Sequence, residues 1–536
     1  MSFGSEAVHL LQQYGVDTVF GIPGVHTIEY YRGVAETGVK SVVPRHEQGA
    51  GFMADGYARI SGRPGVCILV SGPGVLNAAT PIAQAWHDSI PMLVIAASTE
   101  SSLRGRNRGP LHDVPDQAAF FEQLCDRSVT VTDPEQFEEV IAETFLNWNM
   151  NRNRPVHISI PTDLLTLDIG SMQARQLSVL QKRPTKDDLA KLEKLLADSK
   201  SPLIIAGGGA IHASNLLKEF AELIQAPVIS TGNAKGILPH DHPLNAGVIL
   251  PFEGARNLIE KSDLVFALGT EFSDVDIIYT GIRLPAPKRM VRVDVDRTQL
   301  NSPYDAHLGI ESDIGSFLQD SLESLRALGF AGGNPNVFEE VKAARHDIQW
   351  TDQSKSHFGW IDAISSALPE NAIVSLDSTQ LAYTAHHYQP WSTPSRWLAP
   401  YGLGTLGPAL PMGLGAKVAS PADPVLIIAG DGGFLFTLSE LATARDIGGS
   451  ITTIIWDNAG YGEIRDSFDR AHAPRIGVDV SSYDLVTIAQ GFGLEASRVG
   501  SPEQLHENLA KNLKSLQPSL IVATEPGSPA SLLKRS

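Results

Sequence analysis

The sequence predicts an α/β protein made of three doubly wound domains, each built on a parallel sheet. Three observations lead there. The chain has 536 residues, room for about three domains. Its apolar, β-branched runs show no polar alternation, as expected of strands buried on both faces. Three of these runs end in a glycine cluster followed by a helical pattern: "CILVSGPG" (67–74), "LIIAGGGA" (203–210) and "LIIAGDGG" (426–433). Strands alternating with helices pair in parallel.

In chain order, "MSFGSEAVHLLQQYG" reads as the first amphipathic helix of a domain rather than a signal peptide. "RPVHISIPTDLL" (154–165) reads as the closing strand of the first unit, and the polar, Pro-interrupted "LQKRPTKDD" (180–188) as a linker. The middle unit carries two more strand-like runs, "DLVFALGTEFSD" and "MVRVDVD", and ends near the Gly/Asn/Pro cluster "GFAGGNPNV" (329–337). The expected domains are 1–170, 185–330 and 345–536.

Composition excludes several functions. A net charge of −18 argues against a nucleic-acid partner and against a polybasic membrane surface. No apolar stretch approaches the roughly 18 residues of a membrane span. Two cysteines, Cys67 and Cys125, are too few for a disulfide framework and sit in apolar surroundings. The expected location is the cytoplasm.

"IIAGDGGF" (427–434) places a carboxylate, Asp431, at the carboxyl end of a buried run. Parallel sheets bind ligands at such ends, and glycines let backbone N–H groups approach a phosphate, aided by the N-terminus of the following helix. An aspartate there repels a bare phosphate, so a cation between them is the consistent reading. Mg²⁺ accepts a few carboxylate or carbonyl oxygens together with phosphate and water. A helical stretch, "FTLSELATARDI", follows, and then a second run, "ITTIIWDNAGYGEI" (451–464), which brings Asn458 27 positions after Asp431.

This strand–Gly-Asp-Gly–helix–strand–Asn unit resembles the diphosphate-binding motif of thiamine diphosphate enzymes. The resemblance implies that Asp431, Asn458 and the Gly460 carbonyl bind Mg²⁺, and that Gly430, Gly432, Gly433 and Tyr461 line the diphosphate. The family usually has Asn-Asn where this chain has Asp457-Asn458. "RHEQGAGFMADGYAR" (45–59) resembles the segment whose glutamate, here Glu47, bonds the aminopyrimidine. Its glycine-rich continuation suggests close packing against another backbone. "YGLGTLGPALPMGLGAK" (401–417) resembles the region that bends the cofactor, with Leu406 as the wedge and the Gly404 carbonyl as acceptor for the cofactor's amine. "DSTQLAY" (377–383) resembles a further contact loop, with Gln380 the contact. The resemblance covers essentially the whole chain. It implies a homodimer as the minimum active unit, with a homotetramer expected, because Glu47 and the metal motif meet across a subunit interface in this family.

The implied activity is non-oxidative decarboxylation of a 2-oxo acid to an aldehyde and CO₂. His26, in "FGIPGVHTIEYY", His112 and Gln117, in "GPLHDVPDQAAFF", and Glu463, in "NAGYGEIRDSF", are the candidate catalytic residues beside Glu47. Benzaldehyde lyase has a histidine matching His26. Pyruvate decarboxylase has a histidine pair where this chain has His112-Asp113. The segments "GIPGVHTIEYYRG", "STQLAYT" and those above look closest to 5-guanidino-2-oxopentanoate (2-ketoarginine) decarboxylases, and a carboxylate such as Glu463 suits a guanidinium. The alternative is an acetolactate synthase-type carboligase, which joins the decarboxylated fragment to a second carbonyl compound. Glu463 and Ser467 depart from that group's "GMV" and tryptophan. An oxidoreductase built on the middle glycine turn lacks the spaced glycines of a dinucleotide fingerprint. A catalytically dead scaffold does not account for Glu47, Asp431 and Asn458.

Overall fold

The computed structural model describes residues 1–106, 108–277, 283–480, 483–528 and 530. Three six-stranded sheets, with every strand pairing parallel, follow one another along the chain. The first contains Thr18–Phe20 (β1), Lys40–Val42 (β2), Gly65–Leu69 (β3), Met92–Ser98 (β4), Arg127–Thr130 (β5) and Val156–Pro161 (β6), ordered β2-β1-β3-β4-β6-β5. The second contains Pro202–Ala206 (β7), Val228–Ser230 (β8), Asn245–Gly247 (β9), Leu264–Leu268 (β10), Met290–Asp294 (β11) and Leu308–Glu311 (β12), ordered β12-β11-β10-β7-β8-β9. The third contains Ile373–Leu376 (β13), Trp397–Leu398 (β14), Val425–Gly430 (β15), Ile451–Asp457 (β16), Glu495–Val499 (β17) and Ser519–Thr524 (β18), ordered β14-β13-β15-β16-β18-β17.

The central strands β3, β4, β7, β10, β15 and β16 are buried along their length, apart from the half-exposed Gly430 that ends β15, as their unbroken apolar runs require. Each sheet reverses its winding between two neighbouring central strands: β1 and β3, β7 and β10, and β13 and β15. Loops diverge at these points and leave a crevice at the carboxyl ends of the strands. In the middle sheet the turns after β7 and β10 meet backbone on backbone, while a cleft of about 450 Å³ lined by Gly208, His212, Asn233, Thr270 and Asp294 stays open beside them. A Cβ on Gly207 would lie 2.2 Å from the Gly269 carbonyl oxygen, so glycine is needed there for contact between turns.

The first and third units are joined by two crossing helices, Glu47–Ser61 and Ala409–Ala419. A Cβ on Gly56 would lie 1.9 Å from the Met412 carbonyl oxygen, and one on Gly415 1.9 Å from that of Met53. The glycine-rich stretch after Glu47 therefore packs backbone on backbone, as its composition suggests. Apolar residues of both units, including Met53, Tyr57, Met412 and Leu414, share one core.

The expected helix "FTLSELATARDI" begins late, at Leu438, and opens as a 3₁₀ turn. A short turn of helix, Asp431–Phe434, is followed by a 3₁₀ turn, Leu438–Glu440, and the helix Leu441–Ile447. The gap before Leu438 falls at Thr437, whose backbone is non-helical (φ −134°) and whose hydroxyl donates to the Gly407 carbonyl at 2.8 Å. Both cysteines are buried free thiols, and burial pushes Cys67 up to about 12. Among the described residues no helix is long and apolar enough to cross a membrane.

Candidate active site

The structure gathers the sequence-derived site residues into two groups, one at the winding reversal of the first sheet and one at that of the third.

In the first group, His26 follows β1 and Ser71 follows β3. They close the crevice with a 2.6 Å hydrogen bond between His26 Nδ1 and the Ser71 hydroxyl. His112 packs edge-on against His26, with ring centroids 5.3 Å apart. Burial, and then the neighbouring His112, lower the proton affinity of His26, so the neutral ring is favoured and Nε2 is its remaining polar atom. His112 is in the left-handed region (φ 61°), and its carbonyl presses on Gly72. Gln117 is buried. Its amide accepts from the Gly72 N–H (3.1 Å) and donates to the Ala97 carbonyl (3.1 Å) and the Ser159 hydroxyl (2.7 Å). These bonds all point inward, so Gln117 braces the Ser71–Gly72 turn.

Glu47 is the first residue of its helix, capped by His46, and is half-buried. Its carboxylate accepts from Asn77 Nδ2 at 2.9 Å and faces Gly74, where a Cβ would come within 3.4 Å of it. The start of the helix is also held from the third unit. The buried carboxylate of Glu440 accepts the backbone N–H groups of Arg45 and His46.

The second group is built on β13, β15 and β16. Asp431, at the end of β15, accepts the Gly460 N–H at 2.8 Å. Burial, and then Asp457, push its carboxyl up to about 6. Asp457 is itself paired with Arg498 at 2.9 Å, so the Asp-for-Asn departure is absorbed by a cation behind the site. Arg465 donates to the Asn458 carbonyl at 3.1 Å and fixes the turn. Gly460 has φ 141°, and a Cβ there would lie 2.4 Å from the Val478 carbonyl oxygen. Only glycine fits that position.

The Asn458 amide can be placed in two orientations. With nitrogen inward it donates to the Gly460 carbonyl at 2.9 Å and to Asp431 Oδ1 at 3.2 Å. With oxygen inward, three oxygen acceptors share those distances, and the nitrogen faces Gln380 Oε1 at 3.3 Å. Three acceptors this close are stable only around a cation, and an all-oxygen donor set suits Mg²⁺. The residues present therefore fit the metal. The same set contains a single carboxylate, which is why no cluster of three His, Cys, Asp or Glu residues marks a metal site among the described residues.

Around this clamp, Gly432 packs on the Tyr461 ring, where a Cβ would meet it at 2.8 Å. Gly430 abuts Thr379, with a Cβ 2.9 Å from its hydroxyl. Gly433 abuts Asp377, with a Cβ 3.1 Å from its carboxylate. Gly404 is left-handed (φ 67°) with open space beside it, and Leu406 is half-buried. Gln380 opens the helix Gln380–Tyr388 and bridges outward, donating to Glu463 Oε2 at 3.2 Å and to Asp466 Oδ2 at 2.7 Å. Glu463 also pairs with Arg470 at 2.8 Å.

Asn77, Glu440, Asp377 and Asp466 contribute to the site without having been singled out from the sequence. Asn77 and Asp377 lie inside motifs that are visible there, "SGPGVLNA" and "DSTQLAY". Glu440 has no local signal, because its partners are almost 400 residues away.

Three family models match the chain in order: thiamine pyrophosphate enzyme, N-terminal TPP binding domain, over residues 1–120; the central domain of the same enzymes over 189–321; and their C-terminal TPP binding domain over 377–523. A Pseudomonas aeruginosa protein named "Probable 2-ketoarginine decarboxylase AruI" is 39% identical over 95% of this chain and 91% of its own length. The acetolactate synthase isozyme 1 large subunit of Escherichia coli is 31% identical over 96% of this chain and 92% of its own. A probable acetolactate synthase large subunit of Methanocaldococcus jannaschii is 30% identical over 97% and 91%. With its three parallel sheets matching three successive domain models, the chain belongs to the thiamine pyrophosphate enzymes.

Proposed function

We propose that this enzyme decarboxylates a 2-oxo acid to an aldehyde and CO₂ with thiamine diphosphate and Mg²⁺, and that its substrate is 5-guanidino-2-oxopentanoate. The observation that carries this reading is the link from the oxygen clamp to a carboxylate: Asn458 touches Gln380, and Gln380 touches Glu463. A negative group one side chain beyond the metal ligands suits a substrate with a cationic tail. The 39% identical relative that bears a 2-ketoarginine decarboxylase name supports the same choice.

Bound, thiamine diphosphate supplies the nucleophilic thiazolium carbon and the electron sink for loss of CO₂. The chain's own residues do the rest. Asp431, Asn458 and the Gly460 carbonyl hold Mg²⁺, while Gly430, Gly432, Gly433, Gln380 and Tyr461 line the diphosphate. Leu406 and the Gly404 carbonyl set the bend of the cofactor. Glu47 holds a proton at the pyrimidine nitrogen. His26 Nε2, with His112 beside it, handles protons at the substrate. Gln117 positions the turn under both histidines. Glu463 meets the guanidinium.

The units 1–170, 185–330 and 345–536 are the working domains in this reading. Glu47 serves the clamp of a second copy, which makes a homodimer the smallest active form and a homotetramer the expected one. The two buried thiols suit the cytoplasm. Relatives named acetolactate synthase, at 31% and 30% identity, favour a second reading, carboligation to a second 2-oxo acid. A screen of 5-guanidino-2-oxopentanoate, pyruvate and benzoylformate with both cofactors decides between the readings. CO₂ with an equal amount of aldehyde supports decarboxylation. CO₂ with a hydroxy-keto acid and no aldehyde rejects it.

A further inference from the structure

Asp377 lies one residue beyond β13 and is buried at the carboxyl end of the third sheet. Its carboxylate accepts the Ser378 N–H at 2.8 Å and the Gly407 N–H at 3.0 and 3.2 Å. Gly433 lies against it so closely that a Cβ would sit 3.1 Å from Oδ1. Three turns therefore meet on one side chain: the Ser378–Gln380 strip, the Gly404–Gly407 loop and the Gly432–Gly433 turn.

Among the described residues, burial and the N–H groups of Ser378, Gly407 and Ala409 bear on its proton, and no charged side chain does. Burial prevails and pushes its carboxyl up to about 7. A carboxylate suits this place because it is an acceptor only. An amide would turn two donors toward backbone donors.

We propose that Asp377 is the positioning residue of the diphosphate cradle, holding its three turns in register and taking up a proton when the anionic ligand arrives. This rests on the reading that the cradle holds thiamine diphosphate. The sign follows from charge. With Mg²⁺ already in the clamp, the arriving diphosphate adds net negative charge beside a buried carboxylate that, among the described residues, no side-chain cation faces, and this favours the protonated form. Binding thus carries proton uptake, and affinity falls as pH rises above about 7.

The test is calorimetric titration of the full-length protein with thiamine diphosphate at saturating Mg²⁺. It is run near pH 7 in two buffers of different ionisation enthalpy, with the ligand's own proton release subtracted. The wild type is expected to take up more protons per bound cofactor than Asp377→Asn, and the variant to bind about tenfold more weakly or worse. A variant that matches the wild type in affinity and in proton count overturns the proposal alone. A wild type that binds no thiamine diphosphate overturns the cofactor reading beneath it. If Asp377→Asn does not fold, the wild-type proton count between pH 6 and 9 decides, and no uptake anywhere in that range overturns the proposal.

Discussion

Glu440 and Arg45, 395 residues apart, are joined by hydrogen bonds from the Arg45 backbone N–H to both carboxylate oxygens, at 3.0 and 3.1 Å. The same carboxylate takes the His46 N–H and the Thr443 hydroxyl. A residue of the third unit thus fixes the backbone immediately before Glu47. Glu440→Gln replaces an oxygen with a donor and sets it against backbone donors. The expected loss of stability is about 1–3 kcal/mol. Activity should fall further than that, because the Glu47 carboxylate moves with the helix start. Denaturant unfolding and steady-state turnover on the same preparation check both.

Glu47 itself has a different signature. Glu47→Gln keeps the size of the side chain and its contact with Asn77, so folding and cofactor retention should persist. Turnover should fall by about 10²–10⁴-fold, the usual worth of one positioned proton-transfer group. Near-normal rates with bound cofactor would refute the assigned role.

Much of this was legible in the sequence, for identifiable reasons. β3, β7 and β15 could be read because strands buried on both faces must be continuously apolar and their turns must be glycine. That Asn458 and Gly460 lie beside Asp431 follows from a strand, a helix and a strand setting the distance, whereas their assignment as ligands comes from the family resemblance. The helix after Asp431 starts later than its sequence pattern predicts, at Leu438, because Thr437 is tied to Gly407, 30 residues earlier. Glu440 was missed for the same reason: a carboxylate chosen by distant backbone donors leaves no local pattern. Gln117 was read as a candidate catalytic residue, and only its three inward hydrogen bonds reveal what its amide does here.

The metal clamp predicts a binding defect. Asp431→Ala removes the only carboxylate of the three-oxygen set. Cofactor should then wash out on gel filtration even with Mg²⁺ present, whereas the wild type should lose it only with a chelator. Equal retention by wild type and variant, with or without chelator, would reject the assignment.

The helix crossing predicts a purely structural effect. Gly415→Ala gains roughly 1 kcal/mol of helix propensity, yet its Cβ would lie 1.9 Å from the Met53 carbonyl oxygen. Backbone on a crossing helix cannot move aside, so overpacking of about 1–3 kcal/mol or more wins. The variant's denaturant midpoint should fall. Gly491→Ala, at a helix position with open space around it, should leave the midpoint unchanged or raise it. A Gly415→Ala midpoint equal to that of the wild type would mean that the two helices are not held this closely.

Substrate choice turns on Glu463. Its carboxylate hangs from Gln380 and Arg470 and is partly exposed, so it can exchange the Arg470 guanidinium for that of a substrate. Charge-assisted, bidentate pairing is geometrically specific, and an uncharged amide cannot reproduce it. Glu463→Gln should raise KM for 5-guanidino-2-oxopentanoate about tenfold or more, because a hydrogen bond between charged groups contributes about 1.5–3 kcal/mol. KM for an uncharged 2-oxo acid of similar length should change little, and kcat for both should stay within a few-fold. Steady-state kinetics on the two substrates measures the difference directly. A variant that loses both substrates equally assigns Glu463 to proton handling, and one that loses neither removes it from the site.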